Sequence, residues 1–545
     1  MRFHQGVHSR PEQLFKQMLS EPPSRIGVDT ETVSLSIRKL LGIGIAVSGR
    51  DAFFLSADDP DFVRVIRLLQ EPSITKVYHN APFDLRVLRK WQPDLYNIED
   101  TAILARLAGV PAELEYASYW VGRQTEPAKA LMARFKARNM DEVPIAELAK
   151  KCCKDAQATL LLLDYLKPKV SQDYYRVERR MLPVLELASR VGVALDQDYR
   201  AELERLYSYE FQYYKALTDE LGYNPNSPQQ VGYMLAKRGV VLPMSKSGRQ
   251  LATDVETLQY QDDPVAQLTL LYRQVQKQLS TYILPLAGQE RAYTTHHMDA
   301  ITGRISGTSA GDDEPDRNMT NITKRRELKR LPSIRGMFIP DDGMFTRLDA
   351  SQIELRILAH LSQDERMLSI YQSGGDIHAD TERAVFGTEG PNRIAAKTFN
   401  FAQIYGAKVG TVAHQIGSKD YAKVSKLIQA WREAYSGAAH WITQQQEDGL
   451  RQGYVETLLG RKMILPLEMG EEHARNCAVN YPIQGTAAEV FKRVILALSE
   501  LLPSHRLYVH DELLMNGQHM LPLDDLATVT PVYAPLEVEY QERWK

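Results

Sequence analysis

Two acidic segments far apart in the chain, each where a strand is expected to end, constrain this sequence more than any other feature. In the first, Met344 to Leu348 reads as extended and Asp349 closes it. Ile353, Ile357 and Leu361 then recur every four residues, the spacing of a helix that buries one stripe. In the second, Arg506–Val509 and Leu513–Met515 read as short strands flanking His510-Asp511-Glu512, which places Asp511 at or near a hairpin turn. Two carboxylates brought together by the fold can hold two divalent ions roughly 3.5–4 Å apart. Between the segments, Arg393, Lys397, Phe401 and Tyr405 step by four, and Gly406 follows. On a helix they form one slowly turning face spanning roughly 18 Å. Alone, such a row is most simply an amphipathic helix with a snorkelling lysine and two core aromatics. Its position between two carboxylate segments favours a binding surface.

Bulk properties bound the reading. A chain of 545 residues predicts three or four domains, and 44% hydrophobic with 25% charged residues is ordinary for a globular protein. The sequence has no run of ~18 apolar residues, so no membrane span is expected. Met1 to Arg10 carries no apolar stretch of a secretory leader. The cysteines, Cys152, Cys153 and Cys477, lack zinc-site spacing and fit reduced thiols in a cytoplasm. A net charge of −3 does not by itself signal nucleic acid. Lys324, Arg325, Arg326, Lys329 and Arg330 nevertheless crowd one segment, and a basic groove on a near-neutral body attracts a phosphate backbone.

Four blocks follow in order. Residues 25 to 166 alternate strand-like runs (Ile26–Val28, Leu41–Val47, Lys76–Tyr78) with helical ones and predict an α/β unit. Residues 170 to 285 are helical, with Ser227 placed to cap a helix after a turn. Residues 290 to 385 mix strands and helices, with a polar loop at 307–316. Residues 391 to 500 are mainly helical, and the end of the chain returns to strands. In the first block, Asp29 and Glu31 are two apart at a strand end and share one face. Asp84, Asp100-Thr101 and Asp155 follow.

In this order the segments around Asp349, Arg393–Tyr405 and Asp511 resemble motifs A, B and C of family A DNA polymerases, the family of bacterial DNA polymerase I. Asp29, Glu31, Asp84 and Asp155 resemble the DEDD 3′→5′ exonuclease domain of the same family. The resemblance implies a multidomain α/β and α+β fold: a ribonuclease H-like exonuclease domain over 1–168, then a right hand. The thumb would occupy 169–288, the palm 289–385 and 476–545, and the fingers 386–475. It implies two Mg²⁺ ions (Mn²⁺ can substitute) at Asp349, Asp511 and the backbone carbonyl of Ala350, and two more at the exonuclease carboxylates. Arg393 and Lys397 would grip the dNTP triphosphate, with Lys397 also protonating the leaving group. Gln352, Glu354, His378, Phe401 and Tyr405 would complete the nucleotide site. Arg304, Arg335, Arg461, Asn480, Gln484 and His510 would contact primer-template DNA. Arg461 and Gln484 would read minor-groove acceptors common to correct pairs. Glu354 matches the family's steric gate against ribose, and Phe401 goes with rejection of dideoxynucleotides.

The implied activity is template-directed DNA synthesis by a monomer with proofreading. Replisome proteins such as a helicase, primase or single-strand binding protein leave no readable signature. Only 28 residues precede Asp29, so a 5′-nuclease domain is not expected, and a phage replicative enzyme in a bacterial cytoplasm is the first reading; a bacterial repair polymerase is the alternative. Departures accompany the resemblance. Lys151 stands where the family has Tyr four residues before the last exonuclease Asp, and Lys150 where related nucleases have His. A lysine there could orient water or stabilise developing charge. A domain that holds DNA without cutting it is the rival reading, against which the four carboxylates argue. Ala350, Thr320 and Glu489 replace the usual Tyr, Gln and Asp.

Overall fold

The computed structural model describes residues 2–5, 16–18, 20–34, 38–94, 96–245, 248–308, 317–322, 328, 330–350, 352–387, 393–416, 418 and 420–545. The basic residues Lys324, Arg325, Arg326 and Lys329 and loop residues 309–316 lie outside this set. Arg330 lies within it and donates to Tyr214 Oη at 3.1 Å.

The N-terminal block is built on a six-stranded sheet of β1 (Arg2–Gln5), β2 (Arg25–Thr32), β3 (Leu40–Ala46), β4 (Ala52–Ser56), β5 (Thr75–Tyr78) and β6 (Ile98–Asp100), in the order β1-β4-β3-β2-β5-β6. β2, β5 and β6 are parallel, and β2-β3-β4-β1 antiparallel. The strands expected from the apolar runs are β2, β3 and β5, whose Ile26, Val28, Ile43, Ile45, Val77 and Tyr78 are buried. The Ile145–Leu166 helix packs across β2 and β3. Its close approach needs two glycines: a Cβ at Gly27 would strike the Ala156 carbonyl, and one at Gly44 the Cys152 carbonyl. This contact sets the height of Lys151 and Asp155 above the end of β2.

Long helices follow at Gln172–Val191, Gln197–Glu220 and Pro264–Gln278. The last two pack together through Leu203, Tyr207, Tyr214, Tyr272 and Val275. Ser227 caps the Pro228–Lys237 helix as its spacing predicts, accepting from the Gln230 N–H.

The third unit is a four-stranded antiparallel sheet, ordered His505–Val509, Glu512–Asn516, Phe345–Ala350, Leu536–Gln541. The helices Ile353–Ser362 and Glu471–Ala497 pack on each other beside it. Helices Arg393–Ile404, Tyr421–Ala434 and Ser436–Gln452 form the inserted helical block. Among the described residues, no helix is long and apolar enough to cross a membrane.

Candidate active sites

The motif A strand and the motif C hairpin are neighbours in one sheet, and their register brings the two carboxylates to the same end. Asp349 lies opposite Glu512, and Val509 pairs with Glu512, leaving His510-Asp511 as a two-residue turn. His510 takes the left-handed conformation (φ 55°) that such a tight turn requires. The Ala350 N–H donates to the Asp511 carbonyl at 3.1 Å, stitching the turn to the end of the motif A strand. Beneath them Arg347 is 5% exposed and pairs with Asp349, with Glu512 at 2.8 Å and with Glu539 at 3.1 Å. Arg347 was not singled out in the sequence. The signal was present, because residues two apart on a strand share a face. Glu512 also accepts from Trp544 Nε1 at 2.8 Å, so it anchors the hairpin and the chain end. Burial pushes the Asp511 carboxyl up to about 6, against the pull of Arg304. A desolvated carboxylate beside a second one is a donor set that fits a hard divalent cation.

The helical row is present as its spacing predicts. Arg393 and Lys397 are exposed, Phe401 is half-buried, and Ala396, Phe399, Asn400 and Ala402 face inward. Tyr405 lies just past the helix end, its ring stacked on Phe401 at 6.5 Å between centroids. Arg393 donates to Asp376 Oδ2 at 2.6 Å. His378 is buried, and its state follows from its neighbours. Asn400 Oδ1 accepts from Thr381 Oγ1 at 3.0 Å and from Trp431 Nε1 at 2.8 Å. Its Nδ2 therefore faces His378 Nδ1 at 3.1 Å and donates to it. Burial holds the imidazole down at about 4, hence neutral, and the proton sits on Nε2, which has no hydrogen-bond partner among the described residues. A neutral N–H donor is thereby kept for a ligand oxygen. Asn400 was missed from sequence because an inward-facing residue of this helix reads as core. Glu354 is buried in the first turn of its helix, held by Arg304 and by Tyr405. Gln352 precedes that helix in the left-handed region (φ 53°).

The residues expected on DNA divide into two groups. Asn480 and Gln484 are half-buried and one turn apart on the Glu471–Ala497 helix, and His510 is exposed on the hairpin. Arg461 and Arg335, also expected on DNA, are both held inside the protein here. Arg461 is 3% exposed, donating to the Ile301 carbonyl at 2.9 Å and Tyr174 Oη at 3.2 Å and pairing with Glu178. Arg335 is buried, with its guanidinium 4.1 Å from the Trp544 ring centroid and bonded to the carbonyls of Ile322 and Lys545. In this arrangement both guanidinium groups brace the protein interior through backbone carbonyls, Arg461 also through the Tyr174 hydroxyl and the Glu178 carboxylate.

In the nuclease block β2 carries Asp29 and Glu31 on one face. Thr30 between them donates its N–H (3.1 Å) and hydroxyl (2.6 Å) to Asp84 Oδ1. Asp100 holds no free carboxylate. It accepts from Asn80 N (3.1 Å), Ala81 N (2.8 Å) and Ala102 N (2.8 Å), and so seats the helix that bears Asp84. Asp155 and Lys151 sit one turn apart on the Ile145–Leu166 helix. Lys151 Nζ lies 2.7 Å from both Glu31 Oε1 and Asp155 Oδ2. Asp29 Oδ2 and Asp155 Oδ1 are buried without a hydrogen-bond partner among the described residues. Burial raises Asp84 to about 7 and Asp155 to about 6, and raises Asp29 well above the carboxylate range. Such orphaned acceptors fit a cation. The Cys152 thiol, which cysteine spacing did not flag, lies with Asp29 and Glu31 so that their ligand atoms are within 4.8 Å of one another.

Comparison with known proteins agrees with this arrangement. Residues 194–524 match the model of DNA polymerase family A, and residues 8–171 that of a 3′-5′ exonuclease. DNA polymerase I of Chloroflexus aurantiacus is 31% identical over 542 residues, covering 89% of this chain and 56% of the relative. The thermostable DNA polymerase I of Thermus aquaticus is 32% identical over 403 residues, covering 67% of this chain and 47% of the relative. The chain spans about half the length of the curated relatives it matches. The fold is shared with the POL domain of Pol1 from M. smegmatis, solved in complex with DNA primer-template and dNTP. The TM-score is 0.75 at 23% identity, with 99% of each chain covered.

Proposed function

Because this chain belongs to DNA polymerase family A, we propose that it is a template-directed DNA polymerase that extends a primer 3′ end with dNTPs, and that its first block is a 3′→5′ exonuclease. The observation that carries the reading is the Ala350 N–H to Asp511 carbonyl bond, which fastens the turn bearing Asp511 to the end of the strand bearing Asp349. Divalent ions, Mg²⁺ or Mn²⁺, would be held by Asp349, Asp511 and the Ala350 carbonyl, where they activate a hydroxyl nucleophile and neutralise phosphate charge. Around that centre the side chains divide the work. The exposed Arg393 and Lys397 bind triphosphate oxygens, and Lys397 Nζ carries a proton to the departing pyrophosphate. His378 Nε2–H donates to a phosphate oxygen. Glu354, fixed by Arg304 and Tyr405, closes the space that a 2′-hydroxyl would need. Asn480, Gln484 and His510 face the primer-template. Asp29, Glu31, Asp84 and Asp155 would bind a cation that polarises water for phosphodiester hydrolysis.

The setting we propose is phage DNA replication, with bacterial DNA repair as the alternative. The test pairs two assays on one 5′-labelled primer-template. With Mg²⁺ and dNTPs the chain should extend a matched primer, and Asp511→Asn should abolish extension. With Mg²⁺ alone it should shorten a mismatched 3′ end, and Asp29→Ala should abolish shortening. Extension by the Asp511→Asn chain would overturn the polymerase assignment. Extension without any shortening would leave a polymerase whose first domain holds DNA but does not cut it.

A further inference from the structure

The nuclease site departs from four free carboxylates at one position, and that position is built into the fold. Lys151 stands four residues before Asp155, on the same helix face, and reaches across to Glu31 at the end of β2. The lysine side chain is 11% exposed, and those of Glu31 and Asp155 are 7% and 6% exposed. Its ammonium, a compact point charge with three donors, lies at bonding distance from one oxygen of each carboxylate. Two buried acceptors at this site have no hydrogen-bond partner among the described residues: Asp29 Oδ2 and Asp155 Oδ1. Asp29 and Glu31, with the Cys152 sulfur, also form the group whose ligand atoms converge within 4.8 Å.

The consequence is one of shared oxygens and repulsion. A dication between Glu31 and Asp155 would need the same Glu31 Oε1 and Asp155 Oδ2 that the Lys151 ammonium holds at 2.7 Å, and would be pressed against that positive charge. Resting on the reading of this block as a metal-dependent nuclease, we propose that Lys151 is the resident second cation of the site. The centre then takes one divalent ion, at Asp29, and the lysine stands where another would otherwise bind between Glu31 and Asp155. The same bridge ties the helix to the sheet when metal is absent, so this site is preformed without metal.

The proposal is tested on the full-length chain carrying Asp349→Asn and Asp511→Asn, which removes the palm ions from the count. Mn²⁺ binding is followed by electron paramagnetic resonance with dTMP present, and the same chain with Asp29→Ala gives the blank. One Mn²⁺ per chain above the blank is expected, rising to two in Lys151→Gln. Thermal melts give an independent readout. In EDTA, Lys151→Gln should melt below its parent, and Mn²⁺ should raise its melting temperature more than it raises the parent's. Two Mn²⁺ per chain with Lys151 in place, or an equal Mn²⁺ gain in both chains, would overturn the proposal. The count on the Lys151 chain stands whatever the stability of the variant. Absence of Mn²⁺ above the blank in both chains would overturn the metal-site reading itself, and the lysine's role with it.

Discussion

Tyr405 donates its phenolic hydrogen to Glu354 Oε2 at 2.9 Å, joining the end of the helix that bears Arg393 and Lys397 to the first turn of the motif A helix. The other Glu354 oxygen is paired with Arg304. Burial, then the Glu354 charge, pushes the Tyr405 phenol up to about 12, so it remains a donor throughout the neutral range. A carboxylate clamped from both sides makes a rigid wall, and rigidity is what exclusion of a single hydroxyl demands.

Glu354→Ala removes that wall. The ratio of kcat/KM for a dNTP over the matching rNTP is expected to fall by at least roughly tenfold, about 1.4 kcal/mol of discrimination. Single-nucleotide incorporation kinetics measure it. An unchanged ratio would remove Glu354 from sugar selection.

Phe401 is half-buried and carries no polar atom, and the proposed nucleotide site sets it against the sugar. Phe401→Tyr adds a hydroxyl that can take over a hydrogen bond a dideoxynucleotide lacks. Dideoxy incorporation relative to dNTP should rise on the order of tenfold or more, equivalent to the net worth of one hydrogen bond. Chain-termination ladders of the two forms would show it, and identical ladders would argue against this placement of the ring.

A buried charge network joins the Gln172–Val191 helix to the palm. Glu178 pairs with Lys492 and with Arg461 at 3.4 Å and accepts from Tyr174 Oη at 2.9 Å, all of them nearly inaccessible. Lys492→Met leaves Glu178 short of a cation and is expected to destabilise the fold by about 3–5 kcal/mol. Adding Glu178→Gln to Lys492→Met should not recover that loss, because the buried Arg461 then loses its carboxylate partner. Urea denaturation of the three chains decides it. A single variant as stable as the parent would show the pair to be dispensable.

Glu489 faces the same region and accepts from Thr457 Oγ1 at 2.5 Å. Burial raises its carboxyl to about 7 from an ordinary value of 4.5. A raised folded-state pKa contributes stability that is full below pH 4.5 and lost as pH rises through about 7. Glu489→Gln keeps the acceptor and cannot ionise. Its melting temperature should match the parent near pH 5 and exceed it at pH 8, by an advantage on the order of 3 kcal/mol. A pH-independent difference between the two would contradict the shift.

What could be read from the sequence was periodic and local. The two-residue alternation of β2 put Asp29 and Glu31 on one face. The four-residue spacing of Arg393, Lys397 and Phe401 gave a helical face, and the residues flanking Asp511 gave a hairpin; each is present. Backbone geometry alone produces these patterns, so neighbouring residues suffice to specify them. Which partner a charge meets is a different matter. Arg461 and Gln484 looked equally suited to DNA, yet one is buried against Glu178 and the other is half-buried on the palm helix. Lys151 looked like a substitution at one position, but it bridges two carboxylates contributed by different elements. Arg347 drew no notice, yet it pairs with Asp349, Glu512 and Glu539 across three strands. Each outcome includes a contact between residues distant in sequence, Lys151 with Glu31, Arg347 with Glu512 and Glu539, and Arg461 with Glu178, and each depends on the desolvation that packing imposes. The sequence by itself determined which side chains share a face; only the tertiary structure decided which of them remained open to a ligand and which were neutralised inside the protein.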